Sequence, residues 1–389
     1  MPLCAQRVLK PVHIFLQQNK PSEALAEVKR LVADPKAMTL PKLYDYGVEA
    51  NTRLYDKYNE KMYLKQASDT AAFFRTTYDI FAYALKCDSL EQAAATEGKK
   101  LNFRKKNSPL LRLYYPNLLV GTHYFYRHRD YATANQFARM GHLVPTTDLW
   151  GADSLTTATQ NYHSNASLAI LSYYRLGQAD RIDPYLPAAL SDSSRLREAV
   201  LRVASTAAAA KGDSALQLQY LQTGLHDYPA SRYFFDQTTD YYLARGDYGT
   251  VRRLATEMAA TDSLNTHFLA TLTYAHLCLG DNRKAIATGK HLLSLDTANV
   301  EANYYVGMAY CNEAAKIELP TNINHKRYKT LLEQRRSLYK SARTYLEAYR
   351  RQQPADSAHW APLLYRVYLE LNEGRKFDEI ERILAQPAS

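Results

Sequence analysis

The sequence predicts an all-α protein, a right-handed α-α superhelix of about eight or nine stacked helical hairpins. Two observations lead there. Gly212-Asp213, Gly246-Asp247 and Gly280-Asp281 recur at a fixed spacing of 34 residues. Around each pair the apolar residues follow helical rather than alternating periodicity. A fixed period of this length, with helical patterning on both sides of a turn, is the mark of stacked helix-turn-helix units, none of which can bury its apolar face alone.

The unit around Gly280 shows the pattern in full. Leu269, Leu272, Thr273 and Leu277 share one helical face ahead of the glycine, and Ala285, Ile286, Leu292, Leu293 and Leu295 are expected to face the same interior behind it. Glycine leaves the first helix through a left-handed residue, and the following aspartate is placed to cap the second. Asp296-Thr297-Ala298-Asn299 closes the unit before Val300 opens the next helix.

These residues resemble the tetratricopeptide repeat (TPR) family, whose pattern runs hydrophobe, Leu-small pair, aromatic, Gly-Asp, Ala and a terminal Asp-Pro. Here it reads Leu269, Leu272-Thr273, Gly280-Asp281, Ala285 and Asp296-Thr297. The preceding unit gives Phe235, Tyr242 and Gly246-Asp247, and the one before it Leu201, Ala204-Ser205, Gly212-Asp213 and Pro229. No unit carries the family's Trp, Ser263 and Thr297 stand where Pro is usual, and Val251 and Ala255 are atypical of a second helix. The Asp-Ser and Asp-Thr closures resemble those of exported bacterial TPR proteins. The match is strong from Glu198 to Ala309 and degenerate before Trp150.

At 389 residues the period allows about 11 units, and insertions reduce that to roughly 16 to 19 helices. The organisation expected is 1–150 as degenerate repeats, 151–311 as regular repeats, and 312–389 as C-terminal repeats with a basic hairpin and a cap. No Gly/Ser-rich linker or low-complexity tract separates these stretches, so they read as one continuous superhelix. In the first stretch, Asn19-Lys20 replaces Gly-Asp, with Ala24, Val28 and Leu31 on one face and Pro35 at the end. Helices are expected from Leu43 to about Gln66 and from Thr70 to Leu85, the pair closed by Cys87-Asp88-Ser89. Another unit turns at Arg129-Asp130 ahead of Ala134, Phe137 and Ala138, and a further one spans Tyr162 to Leu190 with Gly177 at its turn. Most of the 32 tyrosines are expected to wedge between helices with their hydroxyls at the surface.

Near the C-terminus the phase breaks. The Ala expected at 319 is found at Ala342 and the Pro expected at 331 is Pro354, both 23 residues late. Two extended helices joined at Leu319-Pro320-Thr321-Asn322, projecting from the stack, account for this insertion. On the second of them Lys329, Arg336, Lys340 and Arg343 fall within about 60° of one another, opposite Leu331, Leu338, Ala342, Tyr345 and Tyr349.

The net charge of +10 is concentrated in two places. Segment 321–351 carries +7 and segment 99–112 carries +6, leaving the rest of the chain at −3. Such segments bind nucleic acid or anionic surfaces when their cations are free, and otherwise form a solvated helix face (321–351) and a solvated loop (99–112). They are not interleaved with an RNA-reading motif.

Catalytic and cofactor signatures are absent from the sequence: no Gly-x-Ser-x-Gly, no Walker loop, no Gly-x-Gly-x-x-Gly and no His-Glu-x-x-His. Cys4, Cys87, Cys278 and Cys311 form no C-x-x-C pair. Cys278 and Cys311 lie almost one repeat apart and could approach on neighbouring helices, with core packing expected and a disulfide as the alternative. His123 and His128 stand apart from other metal ligands. The expectation is therefore a non-enzymatic protein without cofactor or metal. In TPR proteins the first helix of each unit lines a concave groove, and the resemblance places there Arg202 and Thr206, then Tyr233, Asp236 and Asp240, then His267, Ala270 and Tyr274, then Tyr304, Met308 and Asn312. That surface lacks the Lys/Asn/Arg set that clamps a C-terminal carboxylate. It suits a protein or peptide segment with apolar and basic side chains, anchored by Tyr233, Tyr274 and Tyr304. No run of 18 apolar residues spans a membrane. Met1-Pro2-Leu3-Cys4-Ala5-Gln6 resembles the tail of a secretory signal, from which an exported or periplasmic location is expected, with the cytoplasm as the alternative.

Overall fold

A computed structural model of the chain describes residues 3–95, 101–151 and 157–385. Met1 and Pro2, the side chains of residues 3–6, Cys4 among them, and Lys99 and Lys100 of the first basic segment lie outside the described residues. Among the described residues there are eighteen α-helices and no strand. Within each of two compact units successive helices pack on one another, joined mostly by short turns.

Two compact units emerge, Met1–Tyr228 and Pro229–Ser389. The boundary falls within the stretch that the period groups as 151–311. The first unit holds α1 (Leu3–Gln17), α2 (Pro21–Val32), α3 (Pro41–Tyr63), α4 (Thr70–Ala93), α5 (Asn102–Arg127), α6 (Tyr131–Leu143), α7 (Gln160–Arg175), α8 (Leu186–Leu190), α9 (Leu196–Ala210) and α10 (Ser214–Asp227). The second holds α11 (Arg232–Leu243), α12 (Tyr248–Thr261), α13 (Thr266–Cys278), α14 (Asn282–Leu295), α15 (Val300–Ala315), α16 (Tyr328–Gln352), α17 (Ser357–Leu371) and α18 (Gly374–Leu384).

The turn inside a pair is the same device throughout. Gly212, Gly246 and Gly280 have φ of +76°, +70° and +73°, as the repeat pattern requires. The same left-handed turn recurs at Asn19, Lys65, Arg129, Gly177 and Asn372. Only the α15–α16 pair lacks it, so eighteen helices make nine pairs. Asp69, Asp130, Asp213 and Asp247 accept a backbone N–H three residues on and cap the helix that follows. Asp281 does not. Its carboxylate faces Arg252 at 3.1 Å and His276 at 3.6 Å, binding two helix pairs together instead of capping α14.

Several expectations are corrected. Cys87-Asp88-Ser89 does not close a pair, because α4 continues to Ala93. Cys87 is buried with its thiol donating to the Pro41 carbonyl, and Asp88 is held in the helix by a two-pronged bond from Arg104 at 2.6 and 2.8 Å. The basic stretch after residue 101 is helix rather than loop. Glu91 accepts the N–H groups of Asn102, Phe103 and Arg104 and so caps α5 from the preceding helix, while Lys106 reaches the buried Asp45 at 2.8 Å. The second half of the Tyr162–Leu190 unit breaks into two 3-10 turns and the short α8, since Pro184 and Pro187 withhold the N–H groups a longer helix needs. Leu295 is exposed, not interior. Cys278 is exposed as well, while Cys311 is buried.

The 23-residue insertion is accommodated differently from a projecting hairpin of two extended helices. α15 ends at Ala315, an irregular connection follows, and only α16 is long. Its Tyr339, Ala342, Leu346 and Tyr349 are buried against α15 and α17, with Trp360, Leu364 and Tyr368 completing that core. Gly307 lets α16 approach, a Cβ there meeting Leu346 at 2.7 Å.

Candidate partner-binding trough

Within residues 229–389, α11, α13 and α15 are the first helices of successive pairs. Each is pinned by the apolar side it buries: Phe234 and Phe235 on α11, Leu269, Leu272 and Thr273 on α13, Val306 and Ala309 on α15. Phe235 meets Phe268 edge-on at 4.7 Å. Asn265 and Asn299 cap α13 and α15, fixing where the helices start. What these helices leave uncovered borders two cavities, of about 440 and 560 Å³, which share Tyr274, Glu301 and Tyr305 as a common wall. Together they form one trough.

The smaller cavity is polar. Asp236 is held from its own helix by Arg232 at 3.2 Å and from α13 by the His267 ring. Asp240 lies one turn further and has no ion pair among the described residues. Loss of water pushes its carboxyl up, the Asp236 charge adds to that, and His267 opposes it.

The larger cavity is walled by rings. Tyr274 packs on Tyr305 at 5.3 Å, Tyr305 on Tyr304 at 5.9 Å, and Tyr304 on Tyr349 at 5.0 Å. His359 stands edge-on to Tyr304 at 5.6 Å. Asp356 fixes the far end, accepting from the Tyr349 hydroxyl and lying 2.6 Å from His359 Nδ1. A hydrogen bond with the Cys278 thiol, then burial, pushes the Tyr274 phenol up to about 12. Burial and the charge of Glu301 push Tyr305 up too. Glu301 is exposed and has no ion pair among the described residues. Met308, Leu277 and Val300 supply the apolar floor.

The structure therefore brings together Asp236, Asp240, His267, Ala270 and Tyr274 in one cavity, and Tyr274, Tyr304, Met308 and Asn312 in the other. Tyr233 borders neither and packs on Phe234 at 5.3 Å. Arg202 and Thr206 belong to the other unit, where Arg202 pairs with Glu198 at 2.5 Å. Residues that the sequence reading missed include Glu301, Tyr305, Tyr349 and His359. Glu301 was legible, since it follows Tyr233 and His267 at the same 34-residue step. Tyr349 and His359 lie beyond the insertion, where the period no longer points.

The basic residues divide. Lys329, Arg336 and Lys340 are exposed on α16 with no ion pair among the described residues. Arg343 is bound to Glu373, as Arg335 is to Glu370 and Arg350 to Glu379, which clasps α16 to α17 and α18. In the first segment Arg104 and Lys106 are paired and Arg112 donates to the Trp150 carbonyl at 2.6 Å. No group of three or more metal-ligating side chains occurs among the described residues. No helix there is long and apolar enough to cross a membrane.

No family model and no curated protein matches the chain. Among solved structures it is similar to the C-terminal part of a TPR repeat-containing protein of Cytophaga hutchinsonii, at 14% identity over 69% of this chain and 95% of that one, with a TM-score of 0.45. It is also similar to the TPR2AB domain of yeast Sti1 in complex with pHSP90, at 13% identity over 66% of this chain and 98% of that one, TM-score 0.24. IFIT1 with Gppp-AAAA matches at 14% identity over 96% of this chain and 89% of that one, TM-score 0.26. By its 34-residue period, its left-handed turns and its consecutive helix pairs, the chain is TPR-like.

Proposed function

We propose that the chain is a non-enzymatic scaffold that holds an extended protein segment along the trough of α11, α13 and α15. The observation that carries this reading is the pair of adjoining open cavities with a shared wall, one polar and the other walled by rings. Sites of this volume with a few convergent polar groups are the usual place for a ligand. The chemistry argues for holding rather than reacting. Cys278 and His359 border the same cavity, yet partial loss of water pushes the thiol's pKa up, against the opposing effect of Tyr274 and away from the thiolate a nucleophile needs. Both His–carboxylate couples, His267–Asp236 and His359–Asp356, serve to fix ring positions.

The test is capture of a partner from native lysate by wild type and by Tyr274→Ala/Tyr304→Ala. The reading expects a defined protein retained by wild type and lost by the variant, with unchanged helical circular dichroism. Equal retention by both defeats it. A second reading, an anionic surface or nucleic acid bound by α16, draws support from Lys329, Arg336 and Lys340, exposed and without an ion pair among the described residues. It expects binding that falls steeply with salt and is abolished by Arg336→Glu/Lys340→Glu.

A further inference from the structure

We infer that the larger cavity receives the cationic end of a lysine or arginine side chain carried by the bound segment. This rests on the trough being the working surface, and it names what the trough reads.

The walls decide the sign of the occupant. Tyr274, Tyr304 and Tyr305 line the cavity, and electron-rich aromatic rings attract a cation lying over them. Glu301 adds a full negative charge at the junction with the smaller cavity. No lysine or arginine borders the larger cavity, and its one histidine already pairs with Asp356. The potential inside is thus negative without compensation.

Each alternative occupant leaves a group badly served. An anionic side chain would meet Glu301 with like charge. A purely apolar one would cover the carboxylate and strip its water while giving it no partner, which is costly. A lysine or arginine serves the carboxylate with its head and lays its methylene stem on Met308, Val300 and the rings. Asp240, unpaired in the adjoining cavity, extends the same preference one position along the segment.

A displayed library of random dodecapeptides, selected on the full chain, tests the inference. The enriched peptides are expected to share a lysine or arginine at one position. In synthetic copies, changing that residue to norleucine is expected to weaken binding about tenfold, the sum of a ring-face contact and one exposed ion pair. Glu301→Gln is expected to weaken binding of the parent peptide severalfold and to shrink the cost of the norleucine change, a coupling that loss of fold would not produce. Because Glu301 is exposed, its variant should keep the wild-type melting temperature. Enrichment of peptides without a basic residue, or full affinity retained by Glu301→Gln, overturns the cationic site and leaves the trough reading standing. Recovery of no peptide at all overturns both.

Discussion

At the scale of single residues the turns are the most informative positions. Lys65 and Arg129 adopt the left-handed conformation that Gly212, Gly246 and Gly280 adopt freely. A side chain there costs about 1–2 kcal/mol against glycine, part of which the stiffer unfolded chain returns. Arg129→Gly is therefore expected to stabilise the protein by about 0.5–1 kcal/mol, read as a higher urea midpoint. A lower midpoint would show that the arginine side chain contributes more than its backbone strain costs. His123, His142 and His276 make a second prediction. Burial lowers the pKa of each, so the folded protein takes up these protons less readily than the unfolded chain, whose histidines titrate near pH 6.5. Above that value all three are neutral in both states. Below it the unfolded chain gains protons first, so stability should fall as the pH drops below about 6.5. Urea midpoints between pH 7.5 and 5 check this, and His142→Gln should make the slope shallower.

At the scale of elements, close approach matters as much as the apolar stripe. Gly289 on α14 faces Val306 of α15, where an added Cβ would lie 2.3 Å from Cγ2. Gly289→Ala should cost about 1–3 kcal/mol through forced displacement of α15, and the melting temperature reports it. An unchanged melting temperature would mean the two helices slide without penalty. Asp88→Asn, which removes the charge that Arg104 grips, should cost about 1–3 kcal/mol as well, read by urea unfolding. These contacts mark what the sequence could and could not show. Period and turn chemistry were local, so the pairs around Gly212, Gly246 and Gly280 and the turn at Arg129 were readable. Asp88 was misread because Asp-Ser after an apolar run looks like a closure until the arginine sixteen residues later is seen to hold it. The trough was half readable. Residues on the period, such as Asp236, Tyr274 and Met308, were in view, whereas Tyr349 and His359 depend on how α16 and α17 fold back after an insertion of irregular length.

At the scale of the whole molecule, the division between Tyr228 and Pro229 puts the entire trough in one unit. Residues 229–389 produced alone are expected to fold, with a helical spectrum and one cooperative transition, and to bind the selected peptides as the full chain does. A fragment that folds but does not bind would assign part of the recognition to residues 1–228. The clasp of Arg335, Arg343 and Arg350 on α17 and α18 is central to that independence, because it closes the C-terminal end with paired rather than free charge.

The wall that the two cavities share also bears on inhibition. Tyr274, Glu301 and Tyr305 cannot serve a small molecule and a long segment at once. A compound filling only the cavity of about 560 Å³, a volume suited to a drug-sized ligand, would take those three residues away from the neighbouring position too. Competition for one compartment would then dislodge a partner held along the full length of the trough.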